Sequence, residues 1–119
     1  QYVAAHAIEI DDNDVVYVAD RESMRIQRYD TQGNLLREWK FDAMVCAMYL
    51  HNDGYMYITT GFDGEIAKVD MDGNVLGAIG SPGQENGQFG EAHALTLDEH
   101  DNIYVGDVIL RRVQKFMKY

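Results

Sequence analysis

Apolar and polar residues alternate along most of the chain, and the alternation recurs in three copies. Residues 6–20 align without gaps on residues 46–60 and again on residues 93–107. A period of two residues is typical of half-buried β-strands, and no segment shows the period of an amphipathic helix. The sequence therefore predicts an all-β fold built from three repeats.

Clusters of turn-forming residues separate the strands within each copy. Asn, Asp and Gly tolerate positive φ and close tight turns, so they mark hairpins between the alternating segments. Four strands per copy follow, the outermost being Leu35–Trp39 and Val75–Ile79. The turn clusters are Asp12-Asn13-Asp14, Asn52-Asp53-Gly54, His100-Asp101-Asn102, Gln32-Gly33-Asn34 and Asp72-Gly73-Asn74.

The third copy ends at Tyr119, after its third strand. We therefore predict one domain over residues 1–119 with eleven strands, in units at about 5–40, 45–80 and 92–119. The last unit lacks its outer strand. Its edge at Val113–Phe116 is expected to be covered by something outside this sequence, because open edges promote aggregation.

The repeat resembles the NHL repeat of β-propellers. The motifs that carry the resemblance are Val16-Tyr17-Val18-Ala19-Asp20, Arg25-Ile26-Gln27-Arg28-Tyr29-Asp30, Ile103-Tyr104-Val105-Gly106-Asp107 and Val113-Gln114-Lys115-Phe116. NHL propellers usually close with six blades, so the resemblance implies three blades, half of a ring. Two copies are expected to complete a six-bladed ring as a homodimer. The rival interpretation is a piece of a longer single-chain propeller.

The charge balance narrows the range of partners. The 119 residues include 20 acidic and 10 basic side chains, a formal net charge of −10. Such a surface repels phosphate backbones and anionic lipids, so we expect neither nucleic acid nor membrane as a partner. The single cysteine, Cys46, excludes an internal disulfide. No cellular compartment follows from these features.

One repeat position carries metal-ligand residue types in every copy. His6, Cys46 and His93 open the inner strand of their copies, which in a propeller lines the central channel. Imidazole and thiolate are the ligands that zinc prefers. The alternative is that the three side chains only line a wet channel. His51 and His100 lie in turns, and we predict that both are solvated.

Arg21 departs from its own repeat, because the equivalent positions hold Gly61 and Val108. A side chain that the repeat does not require is a candidate for function. Its alternative role is a surface ion pair with Glu22 or Asp20.

Other recurring residues are predicted to be structural. Asp20 and Asp107 should cap turns, while Tyr17, Tyr57 and Tyr104 should pack within or between blades. Trp39 lies in an outer strand, and we expect it to be partly exposed.

The segment from Val18 to Gln27 resembles the peptidyl-α-hydroxyglycine α-amidating lyases. That resemblance implies a zinc ion held by three histidines on inner strands of alternate blades, with an arginine near the substrate carboxylate. His6 and His93 match two of the zinc ligands, and Arg21 matches the arginine. Ala94 departs from the family, which has an aspartate there. A third zinc histidine and a tyrosine base have no match in this chain.

Three functions remain open. The first is a propeller that binds a metal, or a peptide or small-molecule ligand, and is related to the lyases. The second is a non-catalytic protein-interaction scaffold. The third is an active zinc-dependent lyase, formed by dimerisation or within a longer parent protein. The alternate-blade spacing predicts a zinc site that combines His6 and His93 with Cys46 of the partner subunit.

Overall fold

The computed structural model describes residues 4–118, which form three antiparallel sheets in chain order. Residues 4–118 contain no helix, so none that could cross a membrane, and the all-β prediction is confirmed. Sheet I contains β1 (Ala5–Ile10), β2 (Val16–Asp20), β3 (Arg25–Tyr29) and β4 (Leu35–Lys40). Sheet II contains β5 (Ala47–Leu50), β6 (Met56–Thr59), β7 (Ile66–Val69) and β8 (Val75–Ile79).

Sheet III has three strands within the described residues, β11 (Ala92–Leu97), β12 (Ile103–Asp107) and β13 (Arg112–Phe116). In all three sheets, strands adjacent in sequence are hydrogen-bonded neighbours. Two further strands were not predicted. β9 (Ser81–Pro82) and β10 (Gln88–Phe89) form a short parallel pair between sheets II and III. Tyr119, the predicted end of the third unit, lies outside the described residues.

The predicted turns are closed by aspartate side chains. Asp98 accepts hydrogen bonds from the backbone N–H groups of His100 and Asn102, at 2.9 and 3.0 Å. Asp11 makes the same contacts in the first hairpin of sheet I. The Tyr17 hydroxyl donates to the Asp11 carboxylate at 2.8 Å, which links the turn to the strand that follows it. These local bonds explain why the turns recur with the repeat.

The hydrophobic core lies between the sheets rather than within one of them. We call the face of a sheet that packs on the next sheet its trailing face, and the opposite face its leading face. The larger cluster joins the trailing face of sheet I to the leading face of sheet II, and it includes Tyr17, Ala19, Ile26, Trp39, Met48, Met56, Ile58 and Val69. The smaller cluster joins sheet II to sheet III, and it includes Ile66, Phe89, Ala92 and Val105. Each sheet therefore depends on its neighbour for burial.

Trp39 is buried, so the expectation of partial exposure was wrong. Its side chain belongs to the larger core cluster, and only 2% of the residue is exposed. The ring centroid lies 5.7 Å from that of Tyr17. A Cβ at Gly73 would lie 2.5 Å from indole carbons, which places the hairpin of sheet II against the ring. The neighbouring sheet covers this outer strand, which a repeat unit considered alone does not reveal.

The prediction that His51 is solvated was also wrong. His51 is 5% exposed, and its Nε2 atom lies 2.5 Å from Oδ1 of Asp101 in sheet III. Lys118 Nζ contacts the other oxygen of the same carboxylate at 2.8 Å. His51 therefore links two sheets. His100 is exposed, as predicted.

Candidate metal centre

His6, Cys46 and His93 converge where the first strands of the three sheets lie side by side. One ligand atom from each residue can be chosen so that all three atoms lie within 4.8 Å of one another. This is the set of side chains that the repeat register singled out. All three come from one chain. We expected that Cys46 would have to come from a partner subunit. The inner strands of three consecutive sheets instead lie close enough for the Cys46 of the same chain to reach both histidines.

β-Bulges position both histidines. The register of β1 with β2 shifts between Ala5 and Ala7, and the register of β11 with β12 shifts between Ala92 and Ala94. His6 and His93 are the extra residues at these shifts. A bulge bends its strand and redirects the side chain at that point. The two imidazoles therefore meet with ring centroids 5.1 Å apart and ring planes at 79°.

Two buried aspartates hold the chain where it enters these bulged strands. Asp20 accepts a hydrogen bond from the Ala4 backbone N–H at 2.8 Å and pairs with Arg25 at 2.9 Å. Asp107 accepts backbone hydrogen bonds from the segment before β11, at Gly90 and Glu91, and from the turn after β12, at Ile109 and Leu110. The bonds to Ile109 and Leu110 confirm the predicted turn cap at Asp107. The bonds to Ala4, Gly90 and Glu91 show that both aspartates also position the ligand strands.

Cys46 is buried at the start of sheet II. Its backbone N–H donates to the Thr59 carbonyl at 2.9 Å. A Cβ at Gly61 would lie 2.8 Å from the Cys46 Sγ atom, and Gly61 has a φ of +68°. Gly61 also exchanges two 3.0 Å backbone hydrogen bonds with Ala92, the residue before His93. The glycine therefore leaves room for the thiol and connects the strand of Cys46 to that of His93.

Arg21 and Glu91 flank the three ligand side chains. Arg21 Nε donates to Glu22 Oε1 at 2.9 Å, so the ion pair weighed as its alternative role is present. Asp20, the other suggested partner, is paired with Arg25 instead. A second guanidinium nitrogen of Arg21 lies 3.9 Å from Glu91 Oε2. Arg21 therefore lies beside the site, with one guanidinium nitrogen near the buried carboxylate of Glu91.

Glu91 was missed by sequence reasoning, although it is buried next to His93. Its Oε1 atom lies 3.9 Å from Nδ1 of His93. A signal was available, because the equivalent positions hold Ala4 and Met44. The criterion that singled out Arg21, departure from the repeat, also applies to Glu91.

The protonation of His6 suits metal binding, whereas that of Cys46 opposes it. Burial lowers the pKa of His6, and the positive charges of Arg21 and His93 act in the same direction. The neutral imidazole, which is the form that binds metals, is therefore favoured. Burial raises the pKa of the Cys46 thiol, against the opposing effect of Arg21. A metal ion would have to displace this proton, as is usual for thiolate ligands.

His93 Nδ1 is buried and has no hydrogen-bond partner among residues 4–118. An unsatisfied buried nitrogen is uncommon, because it has lost its hydration without replacement. A small movement of Glu91, whose Oε1 atom lies 3.9 Å away, would satisfy it and leave Nε2 of His93 for a metal ion. The two-nitrogen, one-sulfur donor set fits a divalent transition metal.

No protein-family model matches the chain. Among solved structures, a streptogramin B lyase is similar over 95% of this chain, with a TM-score of 0.74 and 18% identity. Virginiamycin B lyase from Staphylococcus aureus matches over 96%, with a TM-score of 0.70 and 15% identity. The WD40 β-propeller domain of Doa1 matches over 94%, with a TM-score of 0.75 and 16% identity.

This chain spans about two fifths of the length of these structures, between 36% and 41%. At such low identity, the similarity concerns the fold alone. The neighbours include lyases and a WD40 domain, so one sheet architecture supports unrelated functions. The consecutive antiparallel sheets, with the core between them, agree with this assignment. The chain is therefore an all-β module with a β-propeller-type fold.

Proposed function

We propose that this chain is a metal-binding module of three NHL-type propeller blades, with His6, Cys46 and His93 as the metal ligands. The observation that carries the proposal is the convergence of three ligand atoms within 4.8 Å, each from a different sheet. Residue types that bind metals also occupy this repeat position in all three copies, which supports the same role.

Zinc fits the donor set best. Zn–N bonds near 2.0–2.1 Å and Zn–S bonds near 2.3 Å place tetrahedral ligand atoms roughly 3.5 Å apart. Atoms already within 4.8 Å need only small rotamer changes to reach that arrangement. Three protein ligands leave a fourth position open, which is typical of catalytic rather than purely structural zinc. A zinc ion bound here would supply a Lewis acid.

Arg21 supplies the second element of the proposed site. A guanidinium presents a planar fork that matches a carboxylate, so an anionic ligand at the open position would be recognised by Arg21. Releasing Arg21 from Glu22 has little cost, because that ion pair is partly exposed. Glu91 would accept a hydrogen bond from the Nδ1–H of His93 and orient the ring, as carboxylates often do behind metal-bound histidines.

The resemblance to the α-amidating lyases gives this site a candidate reaction. His6, His93 and Arg21 stand where the resemblance places two zinc ligands and a carboxylate-binding arginine. Cys46 would take the place of a third histidine. Lyase activity is the second candidate function, and the proximity of Arg21 to the ligand cluster favours it. A protein-interaction scaffold is the remaining alternative.

Cobalt binding tests the metal site directly. Co²⁺ titration of the parent protein should saturate at one equivalent and produce a thiolate-to-metal charge-transfer band. Cys46→Ser should abolish that band, while His6→Ala and His93→Ala should weaken binding by 10-fold or more, at roughly 1.4 kcal/mol per tenfold. His100→Ala is the matched control, because His100 is an exposed histidine. Equal binding by all four variants would overturn the proposal.

Zinc-dependent stability and turnover separate the remaining alternatives. Zinc should raise the melting temperature of the parent and of His100→Ala, since a ligand that binds only the folded state stabilises it. Cleavage of a peptide ending in hydroxyglycine by the zinc-loaded protein would establish the lyase function. Zinc binding without cleavage would leave the metal-binding function in place and reject the lyase.

A further inference from the structure

The stack of sheets leaves apolar side chains uncovered at both ends. Ile26 and Ile66 occupy one repeat position and are 0% and 2% exposed, whereas the equivalent Val113 in sheet III is 71% exposed. At another repeat position, Met48 is 6% exposed and Ile8 in sheet I is 71% exposed. The same positions are buried or, at Leu95 in sheet III, partly buried wherever a neighbouring sheet covers them. The trailing face of sheet III and the leading face of sheet I therefore both lack a neighbour among the described residues.

These two end faces are repeat equivalents of surfaces that already pack together. The leading face of sheet II, with Met48 and Ile58, packs on the trailing face of sheet I, with Ala19 and Ile26. The leading face of sheet I carries Ile8 and Val18 at the positions of Met48 and Ile58. The trailing face of sheet III carries Gly106 and Val113 at the positions of Ala19 and Ile26. The trailing face of sheet III therefore has the residue pattern that would pack on the leading face of a sheet I.

Charge at the end faces agrees with this pairing. Arg28, on the trailing face of sheet I, lines the same cavity of about 730 Å³ as the first turn of sheet II, at His51, Asn52 and Gly54. Lys115 is the repeat equivalent of Arg28. The equivalents of the turn residues are Asp11, Asp12 and Asp14. Placing the two end faces together would bring Lys115 to three carboxylates, which is favourable electrostatically.

We propose that sheet III of one copy packs on sheet I of a second copy, and that the same contact recurs around a twofold axis. Each chain contributes its trailing face to one interface and its leading face to the other. Six sheets would form one ring, and apolar positions exposed in a single chain would be buried. This interaction surface is independent of the metal site, because the ligand cluster is complete within one chain.

The mass in solution tests the proposal. Light scattering should give twice the 13.5 kDa of one chain. Ile8→Asp and Val113→Asp should each shift the mass towards one chain, with a dissociation constant raised at least roughly 100-fold, because each places a carboxylate in an apolar contact. Leu76→Asp is the matched control, since Leu76 is an exposed apolar residue of the middle sheet. Circular dichroism should show unchanged sheet content in all three variants.

Mixing the two end-face variants tests the head-to-tail orientation. Ile8→Asp keeps an intact trailing face and Val113→Asp keeps an intact leading face, so an equimolar mixture should recover one good interface per pair. Neither variant alone should form an intact interface. A parent mass of one chain at the highest soluble concentration would overturn the proposal. So would dimers that persist in both variants.

Charge exchange tests the predicted contact of Lys115. Lys115→Glu should weaken association roughly tenfold, and more at low salt than at high salt. Asp12→Lys in the same chain should recover part of the lost association, because one of the three facing carboxylates then becomes a cation. Failure of the second change to recover any of the lost association would show that Lys115 and Asp12 do not face each other, and would overturn this docking geometry.

Discussion

The imidazole of His51 contacts the carboxylate of Asp101 across two sheets, with Nε2 and Oδ1 2.5 Å apart. His51 stands at a repeat position that holds aspartate in the other copies, Asp11 and Asp98. Those aspartates close their own turns, whereas His51 binds the turn of the next sheet. A single departure from the repeat therefore converts a local contact into a contact between sheets.

We predict that His51→Ala destabilises the protein by about 2–3 kcal/mol. The substitution removes a buried hydrogen bond to a charged group and leaves a small cavity between the sheets. His100→Ala, at an exposed turn position, should change the free energy of unfolding by less than about 0.5 kcal/mol. Urea denaturation followed by tryptophan fluorescence measures both values. Similar, small losses in the two variants would contradict an inter-sheet role for His51.

The Asp101 carboxylate should also make stability depend on pH. Hydrogen bonds from Lys118 and then from His51 hold the pKa of Asp101 below its ordinary value of 3.8. A lowered folded-state pKa means that the contribution is fully present above the unfolded pKa and is lost as the pH falls through the folded one. Melting temperature should therefore fall below about pH 4. Asp101→Asn should have a lower melting temperature at neutral pH and a shallower acid decline. A parallel decline in parent and variant would refute this assignment.

Trp39→Ala should cost roughly 3–5 kcal/mol, the full value for a buried aromatic side chain. The indole is enclosed by Tyr17 and by the hairpin at Gly73, so its loss opens a cavity between sheets I and II. Trp39→Phe retains a ring in the same space and should recover part of that loss. Chemical denaturation followed by circular dichroism provides the measurement. A cost below about 1 kcal/mol, typical of exposed residues, would show that this outer strand is open.

Gly61→Ala should weaken metal binding through Cys46. A methyl group at this position would lie 2.8 Å from the Sγ atom, so the thiol must move. Gly54→Ala is a matched control, because Gly54 also has positive φ but has open space around it. Both variants should lose some stability from backbone strain. Only Gly61→Ala should shift or reduce the cobalt–thiolate band. A normal band in Gly61→Ala would mean that the thiol can reach the metal from another rotamer.

The local features of this protein could be predicted from its sequence alone. Alternation and turn chemistry are local properties, so the strands of sheets I and II and the positions of the turns between them follow from short segments. Register across the copies placed His6, Cys46 and His93 at one position, since each repeat folds into the same unit. The equivalence of these residues thus required no structure.

Contacts between sheets were decided only by tertiary structure. The convergence of the three ligands depends on how closely the inner strands approach, and on bulges at His6 and His93 that alternation does not encode. The burial of Trp39 and His51 depends on a neighbouring sheet that is distant in sequence. Glu91 lies beside Arg21 only because the first strands of sheets I and III converge at the site. Packing between repeats is a long-range property, so no pattern within one repeat determines it.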